Sequence, residues 1–216
     1  DADQAIFAGE LSLEGKLRAV NGVLSIADLA KKSGFSRIFL PNVNAAEAAM
    51  VSGIQVIPIA SLDELVSHLE GRRVIAPQAA TEIKSSEDAA FVDISDIKGQ
   101  EHAKRALMIA ASGGHNILMQ GPPGTGKTML AQALISILPP PTLEEVIEIT
   151  KIYSAAGLLG GQSFFGRRPF RSPHQSASGP AVVGGGQNPR PGEISLAHRG
   201  ILFLDELPEF HRDVLE

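Results

Sequence analysis

Gly121-Pro122-Pro123-Gly124-Thr125-Gly126-Lys127-Thr128 is the stretch that decides the fold of the second half of the chain. It fits the spacing G-x-x-x-x-G-K-[ST]. Glycines let such a loop wrap tightly, so that successive backbone N–H groups point inward at phosphate oxygens. In that arrangement Lys127 reaches the β- and γ-phosphates and the Thr128 hydroxyl ligates Mg²⁺. The flanks agree with the motif. The apolar run Asn116-Ile117-Leu118-Met119-Gln120 reads as a buried strand entering the loop, and a helical pattern from Met129 to Leu138 leaves it. The expectation is a nucleoside triphosphate site lined by Gly121, Pro122, Pro123, Gly124, Thr125, Gly126, Lys127 and Thr128.

Ile201-Leu202-Phe203-Leu204 is a second apolar strand, and Asp205-Glu206 sit where it emerges. One carboxylate at such a place can hold magnesium, and the next can orient and polarise an attacking water. On this reading Lys127, Asp205 and Glu206 are the catalytic residues, and Thr128 and Asp205 are the metal ligands. A pure binding switch has no need of Glu206, so two adjacent acids favour hydrolysis over mere binding.

Composition narrows the alternatives. A chain of 216 residues with 44% hydrophobic content can bury a core and allows one or two domains. With no cysteine there is no disulfide framework, thiol nucleophile or cysteine metal site. The six histidines show no metal-ligand spacing. No apolar run approaches the ~20 residues that span a bilayer, and no basic-then-apolar leader opens the chain. The cytoplasm is therefore the expected compartment. The net charge of −5 is spread too unevenly to argue for or against a polyanion partner; only a local patch could do that.

Residues 77–96 read as an acidic, mobile linker between two domains, because Ala79-Ala80-Thr81-Glu82 and Ser85-Ser86-Glu87-Asp88 are small, polar and aperiodic. Upstream, residues 1–76 alternate. Strands are expected at Phe7–Leu13 and Lys16–Val20 around Glu14-Gly15, then at Arg37–Leu40 and Gln55–Ile59. Helices are expected at Val23–Lys32 with Asn21 as cap, at Asn44–Ser52, and at Leu62–Leu69 with Ser61 as cap. Helix and strand alternating at this pitch argue for parallel packing. Downstream, Ile97-Lys98-Gly99-Gln100 opens a helix to about Ala111, and Thr142–Ala155 forms an amphipathic helix with Thr142 and Glu145 at capping-box positions. A Gly/Pro/Arg-rich insertion covers residues 157–191, and a short helix at Glu193–His198 leads into the Ile201 strand.

Gly9-Glu10-Leu11-Ser12-Leu13-Glu14-Gly15, Asn21-Gly22-Val23 and Ile38-Phe39-Leu40-Pro41 resemble the C-terminal half of a Lon-type protease domain, which has the ribosomal-S5-like fold. Lon proteases use a Ser–Lys dyad. In this register Leu24 stands at the lysine position and has no amine, so the resemblance implies an inactive scaffold or docking domain.

Within the insertion, Phe164-Phe165-Gly166-Arg167-Arg168-Pro169-Phe170-Arg171 holds three arginines, aromatic residues and no acid. Arg167, Arg168 and Arg171 suit phosphate oxygens and the aromatic faces suit stacked bases, which points to single-stranded nucleic acid. Pairing with acids of a neighbouring subunit is the other reading.

Arg168-Pro169-Phe170-Arg171-Ser172-Pro173-His174, Gly184-Gly185-Gly186, and Pro189 through His198 to Leu207-Pro208-Glu209-Phe210 are similar to the ComM competence proteins. These are magnesium-chelatase-like AAA+ ATPases with an N-terminal Lon-like domain. The resemblance implies an α/β chain: a partial Lon/S5-like α+β domain over residues 1–76, the linker, and over 97–216 the first part of a P-loop AAA+ αβα sandwich. It implies ATP and Mg²⁺ as cofactors, with Ile97 and Gly99 against the adenine. It further implies a homo-hexameric DNA helicase that promotes branch migration of single-stranded or branched DNA. The ATPase subunit of magnesium chelatase is the rival within the class, and a non-catalytic, ATP-dependent docking module is the rival outside it. The family topology places a strand that follows Glu216 between the strands ending at Gly121 and Asp205. Without a start methionine, a sensor, an arginine finger or a lid, the chain reads as a piece of a longer protein.

Overall fold

The computed structural model describes residues 4–83, 92–186 and 189–215. The chain forms two compact units. The first combines the upstream residues to Lys84 with residues 143–166; the second holds the residues from Ser85 to Thr142 and from Arg167 onward. Residues 143–166, read from the sequence as part of the ATPase segment, therefore pack with the upstream unit. Among the described residues no helix is long and apolar enough to cross a membrane.

The upstream unit is built on a parallel three-stranded sheet ordered β1 (Ala5–Phe7), β4 (Arg37–Pro41), β5 (Gln55–Ile59). Side chains on a strand alternate between faces, and β4 is apolar on both. Ile38 and Leu40 pack with Val23, Ala27, Ala45 and Val56 on one side, while Phe39 joins Ile57 and Ile59 on the other. Burial on both faces explains why β4 and β5 read as continuous apolar runs. Each fully buried Ile or Leu contributes about 1.5–3 kcal/mol here.

The expected first strand, Phe7–Leu13, is divided. Its start pairs with β4, and after a bend at Ala8-Gly9 the chain re-forms as β2 (Glu10–Leu11). β2 makes an antiparallel hairpin with β3 (Leu17–Arg18). Two partners lying in different directions cannot be served by one straight strand.

Helix α1 (Val23–Lys32) has the expected limits but not the expected cap. Left-handed Gly22 holds the N-cap position, and no side chain caps the helix locally. The exposed amides find tertiary partners instead. Gly22 N–H donates to Ser154 Oγ at 2.9 Å, and Leu24 N–H donates to Glu47 Oε1 at 2.9 Å. Helix α2 (Asn42–Ala48) begins two residues before its expected start. Helix α3 (Leu62–Leu69) is capped by Ser61, whose hydroxyl accepts from Glu64 N–H at 3.2 Å.

The first part of the expected linker is not loose. Gln78 N–H donates to Val56 C=O, and Thr81 binds the carbonyls of Ala49 and Ala46, which ties residues 78–81 to this unit. Residues 84–91 of that linker lie outside the described residues.

Asp28 of α1 accepts from Lys151 at 2.6 Å and from Lys32 at 3.0 Å. The Lys151 bond first, and the Lys32 bond second, hold its carboxyl below the usual aspartate range. A depressed folded-state pKa adds stability that is complete above the unfolded value, about 3.9, and is lost as pH falls through the folded one. Asp28→Asn should therefore lower the urea midpoint at about pH 6 by the equivalent of roughly 0.5–1 kcal/mol, and the deficit should shrink as pH falls below about 3.9. A deficit unchanged at acid pH would remove the charge from the explanation.

In the second unit, Asp93 caps a single 3-10 turn at Ile94–Asp96 with a reciprocal capping box. Helix α4 (Glu101–Gly113) starts four residues later than expected, because Gly99 (φ 69°) and Gln100 (φ 59°) are both left-handed. Helix α5 (Lys127–Ala133) continues as a 3-10 turn, Leu134–Ile137. Ile97, Leu107, Leu130 and Ala133 form the core beneath them.

Asn116–Gln120 is not the buried strand that was expected. Among the described residues nothing pairs with it, and Leu118 is 80% exposed. Strand structure is a pairing property of two segments, not of one segment's composition. The insertion, by contrast, is structured. It carries β6 (Phe170–Arg171), α7 (Gly179–Val183) and β7 (Gly184–Gly185), which pairs with β8 (Arg190–Pro191).

Candidate functional site

β9 (Ile201–Leu202), shorter than the strand expected through Leu204, pairs in parallel with β6, Phe170 opposite Ile201 and Arg171 opposite Leu202. Gly200 makes the approach possible. A Cβ there would lie 2.0 Å from the Pro169 carbonyl oxygen, inside any tolerable contact. Ile201 N–H donates to Pro169 C=O and Phe203 N–H to Arg171 C=O, both at 2.8 Å. The Phe170 and Phe203 rings stack at 6.0 Å. This short ladder delivers Asp205 and Glu206 to the loop that precedes α5.

The loop has the conformation its motif requires. Gly124 (φ 77°) and Gly126 (φ 83°) are left-handed, a region that glycine occupies without the Cβ penalty. Lys127 Nζ folds back over the loop and donates to the carbonyls of Gly121 and Pro122, 3.0 Å each. Thr125 Oγ1 donates to Pro122 C=O at 2.9 Å.

Thr128 Oγ1 lies 3.3 Å from Asp205 Oδ2, which joins two motifs 77 positions apart in sequence. A hydroxyl and a carboxylate converging in this way fit Mg²⁺, a hard cation that takes oxygen donors and keeps water and phosphate oxygens as its remaining ligands. Among the described residues there is no cluster of three or more His, Asp or Glu side chains that could hold a metal by protein groups alone.

Among the described residues Glu206 is one of three non-glycine residues with positive φ (φ 54°, ψ 48°), a conformation that costs about 1–2 kcal/mol. Its N–H donates to Asp205 Oδ1 at 3.1 Å, and its Oε2 accepts from Gln175 Nε2 at 2.9 Å. Gln175 was not singled out from the sequence.

The remaining expected site residues are placed differently from one another. Ile97 is 3% exposed and packs with Leu107, Leu130 and Ala133; Gly99 is exposed. Arg171 makes a bidentate pair with Glu193, Nε to Oε2 at 2.5 Å and Nη2 to Oε1 at 2.6 Å. Arg168 donates to the carbonyls of Pro139 at 2.6 Å and Arg199 at 2.7 Å. Arg167 is exposed. The geometry thus brings together the phosphate loop, Asp205 and Glu206, and ties the heads of Arg168 and Arg171 to partners of the same unit.

Known proteins are similar to the chain along nearly its whole length. Residues 93–216 match the family model described as magnesium chelatase, subunit ChlI, and residues 1–44 match a second model, subunit ChlI of Mg-chelatase. The competence protein ComM of Haemophilus influenzae is 47% identical over 215 residues, covering 97% of this chain and 42% of that protein. The uncharacterised protein YifB of Salmonella typhimurium is 48% identical over 208 residues, covering 96% and 40% respectively. An archaeal Lon protease of Thermococcus kodakarensis is 43% identical over 54 residues, 25% of this chain and 8% of that protein. The chain thus spans about two fifths of the length of its full-coverage relatives. A family model running over more than half of the chain, together with close relatives along nearly all of it, establishes that the chain belongs to the magnesium chelatase subunit ChlI family.

Proposed function

We propose that this chain is the nucleotide-binding part of an AAA+ ATPase that works on DNA, as a hexameric helicase driving branch migration. The observation that carries the ATPase reading is the 3.3 Å approach of Thr128 to Asp205, which sets Glu206 beside the phosphate loop. In hydrolysis, the oxygen of a water bonds to the γ-phosphorus while the bond from phosphorus to the β,γ-bridging oxygen breaks. ADP leaves with that electron pair. Glu206 orients the water and takes its proton. Lys127 leaves the carbonyls of Gly121 and Pro122 for the phosphates, and the loop amides hold the triphosphate in line. Thr128 and Asp205 would hold Mg²⁺, which would supply charge neutralisation on the phosphates.

Support for DNA as the partner comes from the competence name of a 47% identical relative and from the basic stretch at Arg167–Arg171. Arg168 and Arg171 hold groups of their own unit, and Arg167 is exposed at the start of the stretch. In the complete protein, Arg167→Ala should weaken single-stranded DNA binding at every sequence alike. It should also lower the log–log salt slope by about 0.7, one phosphate contact on a single strand. Affinity measured across a salt series, with ATP binding as control, makes the comparison. A slope unchanged by the substitution, with ATP turnover unmoved by DNA, would refute the DNA reading. That result would favour a second reading, an ATPase subunit driving metal insertion into a porphyrin, which the family description itself favours. For the upstream unit, the resemblance and Leu24 at the dyad lysine position support a scaffold without peptidase activity.

A further inference from the structure

The two segments that carry the halves of the nucleotide site are joined at both of their ends. Thr128 stands in the first turn of α5, which continues through the 3-10 turn Leu134–Ile137 to Pro139. Asp205 stands past the far end of β9, whose near end is entered from Arg199 and Gly200. At the loop end the segments meet through Thr128 Oγ1 and Asp205 Oδ2, 3.3 Å apart. At the opposite end one guanidinium bridges them. Arg168 Nε donates to Pro139 C=O at 2.6 Å, and Arg168 Nη1 donates to Arg199 C=O at 2.7 Å. We propose that Arg168 is a positioning residue for the nucleotide site, a staple that sets how closely β9 brings Asp205 to Thr128. This role rests on the reading of Thr128 and Asp205 as the Mg²⁺ ligands.

Three features support it. The bonds at the Arg168 end are short and charge-assisted, whereas the loop end is a single exposed contact, so the Arg168 end is the stiffer of the two. Arg168 is half-buried, and Pro169 beside it is fully buried and accepts from Ile201 N–H at 2.8 Å. The side chain that holds Arg199 and the carbonyl that opens the β6–β9 ladder therefore belong to adjacent residues. Arg199 is itself left-handed (φ 60°), a conformation few non-glycine residues adopt and one that persists only where the surroundings over-determine it. The bond from Arg168 is one of those constraints.

The task suits arginine. Its guanidinium is a rigid planar fork whose N–H groups reach two acceptors from fixed directions, while lysine offers one compact ammonium on a flexible stem. Mg²⁺ demands near-ideal octahedral geometry, and a misplacement of about 1 Å at a reacting centre costs up to ~100-fold. Precision at Asp205 is thus worth a dedicated tie, and the charge of Arg168 is engaged within the fold.

The test uses the complete protein. ATP affinity is measured with Mg²⁺ and again with EDTA, beside steady-state turnover and single-stranded DNA affinity across a salt series. Arg168→Ala should lower kcat about tenfold or more. It should also cut severalfold the affinity gained on adding Mg²⁺, while affinity in EDTA, set by the loop amides and Lys127, stays parental. Arg168→Lys keeps the charge and loses the fork; it should shift both readings in the same direction, and it serves should the alanine variant fail to fold. The DNA salt slope should stay parental in both. An equal loss of affinity in Mg²⁺ and in EDTA overturns the proposal, because general loosening would produce it. Parental kcat and a parental Mg²⁺ gain in Arg168→Lys overturn it as well, and a salt slope lowered by about 0.7 beside them would assign Arg168 to DNA. A separate outcome, a parental Mg²⁺ gain in Asp205→Asn, would remove the metal reading of Thr128 and Asp205 and not merely the role of Arg168.

Discussion

Lys127→Ala in the complete protein is expected to weaken ATP binding by about ten- to a hundredfold, and with it to abolish turnover at ordinary nucleotide concentrations. A charge-assisted contact to phosphate is worth roughly 1.5–3 kcal/mol, and each 1.4 kcal/mol is about tenfold in affinity. Lys127 Nζ is the ammonium that folds over this loop, and the substitution removes it. The fold should survive, since the two bonds Lys127 makes are to exposed loop carbonyls. Direct titration of nucleotide checks the affinity, and a urea midpoint checks the fold. Parental affinity in a folded variant would show that Gly121–Thr128 is not the triphosphate site.

Glu47→Ala should strongly destabilise the upstream unit, costing about 2–4 kcal/mol of stability. Glu47 is 6% exposed. Its Oε1 accepts from Leu24 N–H at 2.9 Å and from the Ser154 hydroxyl at 2.5 Å, and Ser154 Oγ accepts from Gly22 N–H. One carboxylate thereby serves the start of α1 and a helix, α6 (Leu143–Ala155), that arrives more than a hundred residues later. Removing it leaves a helix amide and a hydroxyl unpaired in a dry environment. Glu47→Gln retains an acceptor oxygen and should keep most of the stability. If chemical denaturation gives alanine and glutamine variants equal midpoints, the acceptor is not what matters.

The chain displayed some of this openly. The phosphate loop is a local device, since glycine φ freedom and a following helix are set by neighbouring residues, and Gly121–Thr128 could be read at sight. Helix α1, strand β5 and the Ser61 cap of α3 were legible for the same reason: apolar period and cap chemistry act over a few residues. The acidic pair Asp205-Glu206 was visible as a motif. Its approach to Thr128 was not, because that distance depends on a two-residue ladder between β6 and β9 and on the space that Gly200 leaves.

Tertiary structure decided the rest. Asn116–Gln120 has the composition of a buried strand, but pairing is a property of two segments, and among the described residues no strand pairs with it. Gly22 replaced Asn21 at the start of α1 because Glu47 and Ser154 already satisfied the amides a local cap would have bound. Arg171 carries the same charge whether it faces a phosphate or Glu193; only the fold, by bringing β6 beside α8 (Glu193–Leu196), chose the carboxylate. Periodicity, caps and loops are short-range and live in the sequence. Partners for amides, strands and guanidinium groups are long-range, and the folded chain alone determines them.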